Sequence, residues 1–295
     1  MNIQKKATII SSFIAFFLAV LKLIVGFFSN SIAILSSAID SILDMFVSLF
    51  NLFAVSSAEK NPDKVFNYGR GKIEALASFL EGIIISFSGA YIFYEAINKI
   101  IHKGRITDIG IGVFVMIFSV IVTFFLVFYL TKVGEKTKNL VIKSDALHYK
   151  TDLLSNSAVL IGLIFIYFTE FYLVDAILGM IIACYIVFSA FEILKQGYFL
   201  LLDISLDKEE VDRIKEIISQ TKKIKDFHNL KTRQSGGVKF VEAHLVFEED
   251  ILLYKAHNVS HKIEDKIKNL DKSSKWGITF HLDPYDDSEE DFKNF

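Results

Sequence analysis

Six stretches of mostly apolar residues, each about 20 residues or longer, dominate this chain: 7–28, 32–56, 74–98, 109–132, 145–168 and 173–200. A run of that length matches the hydrocarbon core of a bilayer. Inside lipid, every backbone N–H and C=O must be satisfied within the segment itself, so each run is expected to be a helix. Only two prolines occur in 295 residues, so little interrupts such helices. Hydrophobic residues make up 52% of the chain and the mean hydropathy is +0.43, too apolar for an ordinary soluble domain. The first run follows Lys5 and Lys6 but has no small-residue cleavage site, so it reads as a retained span rather than a signal peptide. Cys184 lies in the sixth run and, as the lone cysteine, can form no intrachain disulfide.

Lysine and arginine set the expected orientation. Lys5 and Lys6 precede the first run, Lys60, Lys64, Arg70 and Lys72 lie between the second and third, and Lys132, Lys136, Lys138 and Lys143 between the fourth and fifth. The opposite side has two short turns and one basic loop with Lys99, Lys103 and Arg105. The excess places both termini in the cytoplasm, with the chain in an inner or plasma membrane. The net charge of −2 averages a membrane part and a soluble part and says little by itself.

Polar residues inside the apolar runs are the strongest functional signal, because a carboxylate deep in a bilayer costs several kcal/mol. Asp40 and Asp44 stand four apart in the second run, and His148 and Asp152 four apart in the fifth. Residues at i and i+4 share one helix face, so each pair points the same way. Three carboxylates and one imidazole on two facing helices make a four-ligand cage for a divalent cation, and a tetrahedral arrangement favours zinc. Such ligands bind metal only when deprotonated, which couples metal to protons. Asp145 follows Ser144 near the expected start of the fifth helix and reads as a first-turn acid. Glu81 lies two turns inside the third run, where it can relay protons or serve helix packing. Asn156, one turn beyond Asp152, is placed to hydrogen-bond the ligand set from behind.

Composition changes near Asp203, after which the chain is charged and soluble in character. Residues 207–220 read as an amphipathic helix, 228–234 and 238–247 as two strands joined by Ser-Gly-Gly, 251–270 as a second helix and 275–282 as a third strand. That order, αββαβ, suits an open-faced sandwich with two helices on one side of a sheet. The expected division is a six-helix transmembrane domain at 1–204, a cytoplasmic α+β domain at 205–287, and an acidic disordered tail at 288–295.

The DxxxD of the second run, the HxxxD of the fifth, and the six spans followed by αββαβ resemble the cation diffusion facilitator family. FNYGRGKIEALA is similar to that family's loop into the third span. HNLKTRQSG, FVEAHLVF, KAHNVSHKIED and HLDP resemble the cytoplasmic domain of its bacterial zinc and iron branch. The resemblance covers residues 7–285 and implies a ferredoxin-like, metallochaperone-type cytoplasmic domain. It further implies a homodimeric metal/proton antiporter working by alternating access, with the bilayer, divalent cations and protons as partners and no nucleic acid or prosthetic group.

Carried across, Asp40, Asp44, His148 and Asp152 match the transport site. His228, His244, His257, His281 and Asp283 match a cytoplasmic binuclear site at the dimer interface, of structural or regulatory use. Lys72 and Asp203 match a charge pair that ties the third span to the sixth. His102 and His261 match no role and read as solvated. Manganese-type members carry Asp in place of His148, so zinc leads, with iron(II), cadmium and cobalt behind it. One loop departs from the family: Asp63 is present, but Phe66 and Arg70 stand at the two histidine positions, so no metal is expected there. Two other readings compete. A membrane metal sensor would bind without transport, and an intramembrane metalloenzyme would keep three ligands and an open position, often on HExxH, which the chain lacks. GRGKIE is too short for a nucleotide-binding phosphate loop, which disfavours an ATP-driven pump.

Overall fold

The computed structural model describes residues 2–29, 32–102, 112–169, 173–272 and 274–288. Six long helices come first: α1 (Ile3–Ser29), α2 (Ile32–Ala58), α3 (Lys72–His102), α4 (Gly112–Thr137), α5 (Leu140–Thr169) and α6 (Leu173–Leu201). Among the described residues, five of them contain segments long and apolar enough to cross a membrane by length and composition alone. α5 carries Lys143, Asp145, His148, Lys150 and Asp152 in its first half. Its 30 residues still span about 45 Å at 1.5 Å per residue. Lys103, Arg105 and the acidic tail from residue 289 lie outside the described residues.

Each helix overruns its apolar stretch at one or both ends. One overrun changes a residue's meaning. Lys138 takes a left-handed conformation (φ 53°) and breaks the chain between α4 and α5. Asn139 then accepts the Ile142 N–H on its side chain at 3.2 Å, as an N-cap does. The fifth helix therefore begins at Leu140, and Asp145 sits well inside it and wholly buried. The expectation of a first-turn acid at Asp145 is corrected.

Within residues 1–198, α1 packs on α2 and α4, α4 on α5, and α5 also on α2 and α3. Leu126, Leu130 and Val133 of α4 meet Ile142, Ala146 and Tyr149 of α5, with Ala7 and Ala15 of α1 closing the cluster. α3 also meets α6, at two glycines. A Cβ added at Gly82 would lie 2.9 Å from Cγ of Leu194, and one at Gly89 2.8 Å from Cγ2 of Val187. Seven residues apart, these two glycines share a face and let the helices approach closely, as small residues do where no hydrophobic drive separates helix from lipid. Phe28, Phe87, Phe114 and Phe125 stand on the outer surface, which suits acyl chains and not water.

From Phe199 onward the chain forms a second compact unit with its own core. Its elements are α7 (Lys208–Ser219), β1 (Asp226–Ser235), β2 (Val238–Val246), α8 (Leu253–Lys268) and β3 (Lys275–Asp283), the expected αββαβ order. β2 is central, antiparallel to β1 and parallel to β3. Val241, Ala243, Leu245 and Phe247 pack with Ile214 and Ile218 of α7 and with Val259, Ile263 and Ile267 of α8. By the period-2 alternation of strands, His244 and its even-numbered neighbours face the other side of the sheet. Lys239 ties α7 to the α8–β3 connection through Glu210 at 2.7 Å and Asp271 at 2.9 Å.

Candidate functional site

In the membrane part, Asp44 of α2 meets His148 and Asp152 of α5. His148 Nε2 lies 3.1 Å from Asp44 Oδ1 and 3.9 Å from Asp152 Oδ2. One ligand atom from each of the three falls within 4.8 Å of the others. Asp152 Oδ2 is buried without a hydrogen-bond partner, an open acceptor beside an imidazole. The donor set, two carboxylates and one imidazole, fits a zinc-type cation. Asp40 does not join the group: it stands exposed on α2, one turn or about 6 Å before Asp44. Asn156 is half-buried one turn beyond Asp152.

Lys22, Ser48, Tyr149 and Asn51 are neighbours that were missed in the sequence. Lys22, 9% exposed in the middle of α1, donates to Ser41 Oγ at 2.7 Å, and Asp44, Asp152 and Asp40 are the acids that act on it. A lone lysine in an apolar run was the available signal. Below the cluster, Ser48 of α2 and Tyr149 of α5 share a 2.6 Å hydrogen bond, and Asn51 Nδ2 donates to Glu81 Oε2 at 3.1 Å and to Asp145 Oδ1 at 3.2 Å. Glu81 is thus tied into a buried polar network between α2, α3 and α5.

In the loop between α2 and α3, Asp63 accepts the N–H groups of Val65 and Phe66 at 2.9 and 2.8 Å and forms an ion pair with Arg70. The guanidinium lies 4.4 Å from the centre of the Phe66 ring. Arg70 thus fills the place beside this carboxylate that a cation would take.

In the cytoplasmic unit, strand register builds a row of histidines. His228 of β1 pairs with His244 of β2, and His244 pairs with His281 of β3. A bulge between His228 and Lys231, with Asn229 left-handed (φ 56°), brings His228 into this register. Ring centres along the row are 4.8 and 4.7 Å apart. Asp283, 3% exposed, collects the row: its Oδ2 lies 3.1 Å from His244 Nδ1 and 3.5 Å from His228 Nε2, and its Oδ1 contacts His281. Asp287, missed in the sequence, adds a carboxylate 3.3 Å from His228. His228, His244, Asp283 and Asp287 make a second group with metal-binding spacing. Its nitrogen and oxygen donors fit zinc. His257 does not reach it within one protomer, because α8 packs on the opposite face of the sheet. His257 meets His261 instead, Nε2 to Nε2 at 3.1 Å, so His261 has a neighbour that the sequence did not suggest. Asp203, left-handed (φ 58°), pairs with Arg233 at 3.3 Å.

Two metal-type clusters, one between membrane helices and one on a small αββαβ sheet, are a distinctive combination, and comparison with known proteins decides its meaning. Residues 8–202 match the cation efflux transmembrane domain, and residues 206–285 match the cytoplasmic domain of cation efflux proteins. The chain belongs to the cation diffusion facilitator family. Three curated relatives, each named cation-efflux pump FieF, come from Escherichia coli O139:H28 (strain E24377A / ETEC), O9:H4 (strain HS) and strain K12 / DH10B. Each is 31% identical over 283 residues, covering 96% of this chain and 93% of its own. The protein is therefore a multi-pass membrane transporter for cations, with a cytoplasmic C-terminal domain, and not an enzyme.

Proposed function

We propose that the protein exports divalent transition-metal cations from the cytoplasm in exchange for protons, as a homodimer working by alternating access. The observation that carries the reading is the Asp44–His148–Asp152 cluster, held between two membrane helices with an unpartnered ligand oxygen. Asp40, one turn away on the same face, is the fourth ligand, joining when α2 shifts around a bound cation. One imidazole among carboxylates favours zinc, then iron(II), cadmium and cobalt, over manganese. Proton exchange follows from the same donors, since cation binding needs neutral imidazole and ionised carboxylates, and protons arriving from the far side displace the cation.

The match of residues 206–285 to a dimer-forming cytoplasmic domain supports the homodimer. The row of His228, His244 and His281 gathered by Asp283 is read as a regulatory metal site, with His257 reaching it across the dimer. Lys72 and Asp203 are proposed as the charge pair that helps hold that assembly. Six spans put the N-terminus on the cytoplasmic side with the C-terminal domain. Competition among zinc, iron(II), cadmium, cobalt and manganese for uptake into proteoliposomes under an imposed pH gradient tests the reading. Zinc should compete best; uptake that ignores the gradient would refute proton exchange.

A further inference from the structure

A second group of buried acids lies beside the metal cluster, toward the C-terminal end of α2 and the N-terminal end of α5, and the transport reading does not use it. Asn51 is seven residues beyond Asp44 on α2, about 10 Å along the helix, and Asp145 is three residues before His148 on α5, about 4.5 Å. Asn51, Glu81 and Asp145 are 0%, 2% and 0% exposed. One amide group, Asn51 Nδ2, donates to both carboxylates, and Ser144 Oγ donates to Glu81 Oε2. The hydroxyls of Ser11 and Ser48 lie against Asp145. The other oxygen of each side chain, Glu81 Oε1, Asp145 Oδ2 and Asn51 Oδ1, is buried without a hydrogen-bond partner.

These three orphans are all acceptors, crowded around two acids whose described hydrogen-bond donors are neutral. Two carboxylates buried together cannot both stay ionised at reasonable cost; like charges in one site force a proton onto one of them. A proton also turns one orphan acceptor into a donor for another. A transition metal fits poorly, because the donors are all oxygen, with no imidazole or thiolate in the group. We propose that Glu81 and Asp145, joined by Asn51, form a second cation site that holds one proton, separate from the metal ligands.

The titratable groups that act on the pair are His148 and Tyr149, both on α5, while α1 and α2 present the neutral side chains Ser11, Ser48 and Asn51. The charge at His148 acts on both carboxylates. A divalent cation in the neighbouring cluster therefore repels this proton, a consequence that rests on the transport reading above.

Infrared difference spectra of the metal-free full-length protein test the site without any transport. A buried protonated-carboxyl carbonyl band should be present at neutral pH, vanish in Glu81→Gln, shift in Asp145→Asn and survive in Glu81→Asp, which keeps the acid. Calorimetric zinc titration in two buffers of different ionisation enthalpy tests the link to metal. Glu81→Gln should bind as many zinc ions as the parent while releasing fewer protons per zinc, by up to about one. A band untouched by Glu81→Gln, or a zinc count lower by one, would overturn the proton site. A lost band with an unchanged proton count would overturn its coupling to metal. The carbonyl band stands or falls whether or not the protein proves to exchange metal for protons.

Discussion

His148 Nε2 lies 3.1 Å from Asp44 Oδ1 and supplies the nitrogen of the membrane cluster. Imidazole is softer than carboxylate, so His148→Asp should retain transport but lower the zinc-to-manganese flux ratio about tenfold, about 1.4 kcal/mol of preference. An unchanged ratio in reconstituted vesicles would remove His148 from the ligand set. Asp63 offers a pH test outside the membrane. The N–H groups of Phe66 and Val65, with Arg70, hold its carboxyl below the usual aspartate range. A lowered folded value means that the turn's stability is complete above the unfolded value, about 3.9, and is lost as pH falls through the folded one. Exchange protection of the Val65 and Phe66 amides should fall over that acid range, and Asp63→Asn should show no such dependence. The paired spacings of Asp40, Asp44, His148 and Asp152 were plain in the sequence because ionisable residues stand out in apolar runs. Asp145 was misread because its depth depends on the Asn139 cap, a local hydrogen bond that spacing does not reveal. Which of the four ligands converge depends on how α2 and α5 pack, so Asp40's separation could not be read from periodicity.

Close packing of α3 on α6 depends on the missing side chain at Gly89. An added Cβ there meets Val187 and Ile186 at 2.8 and 2.9 Å, and overpacking of this kind costs about 1–3 kcal/mol. Gly89→Ala should lower thermal stability in detergent, while Gly179→Ala, whose Cβ would meet Ala96 at an ordinary 3.4 Å, should not. Equal melting of the two variants would contradict the close α3–α6 contact. In the cytoplasmic unit, burial alone would lower the Lys239 pKa, but Glu210 and Asp271 hold it above the usual lysine value. Its contribution is thus complete below the unfolded value and is lost as pH rises through the folded one. Lys239→Met leaves two part-buried carboxylates without their cation, at a cost of about 1–3 kcal/mol. A domain this small should then melt about 4–8 °C lower for each kcal/mol, as circular dichroism of residues 199–295 would show. A melting point equal to the parent's would mean that the two ion pairs contribute nothing. The αββαβ order was legible from hydrophobic period and the Ser-Gly-Gly turn, but the bulge at Asn229 was not. That bulge sets the register that aligns His228 with His244, so the histidine row is a property of strand pairing.

At the scale of the whole molecule, two chemically similar clusters sit in two compact units, and they make separable predictions. Zinc that binds the folded cytoplasmic unit stabilises it by about 2.7 kcal/mol at a free concentration one hundred times the dissociation constant. Its melting temperature should rise with zinc in the parent and stay flat in Asp283→Ala, since Asp283 touches His228, His244 and His281 together. A rise that survives Asp283→Ala would place the zinc elsewhere. Transport belongs to the other cluster, and the same Asp283→Ala protein should still carry zinc. The most direct test of the account is simultaneous zinc and proton flux in sealed proteoliposomes under an imposed pH gradient, for the parent and for Asp152→Asn. The account predicts that the parent moves zinc one way and protons the other, and that Asp152→Asn loses both fluxes together; zinc flux at the parent rate in Asp152→Asn would contradict it.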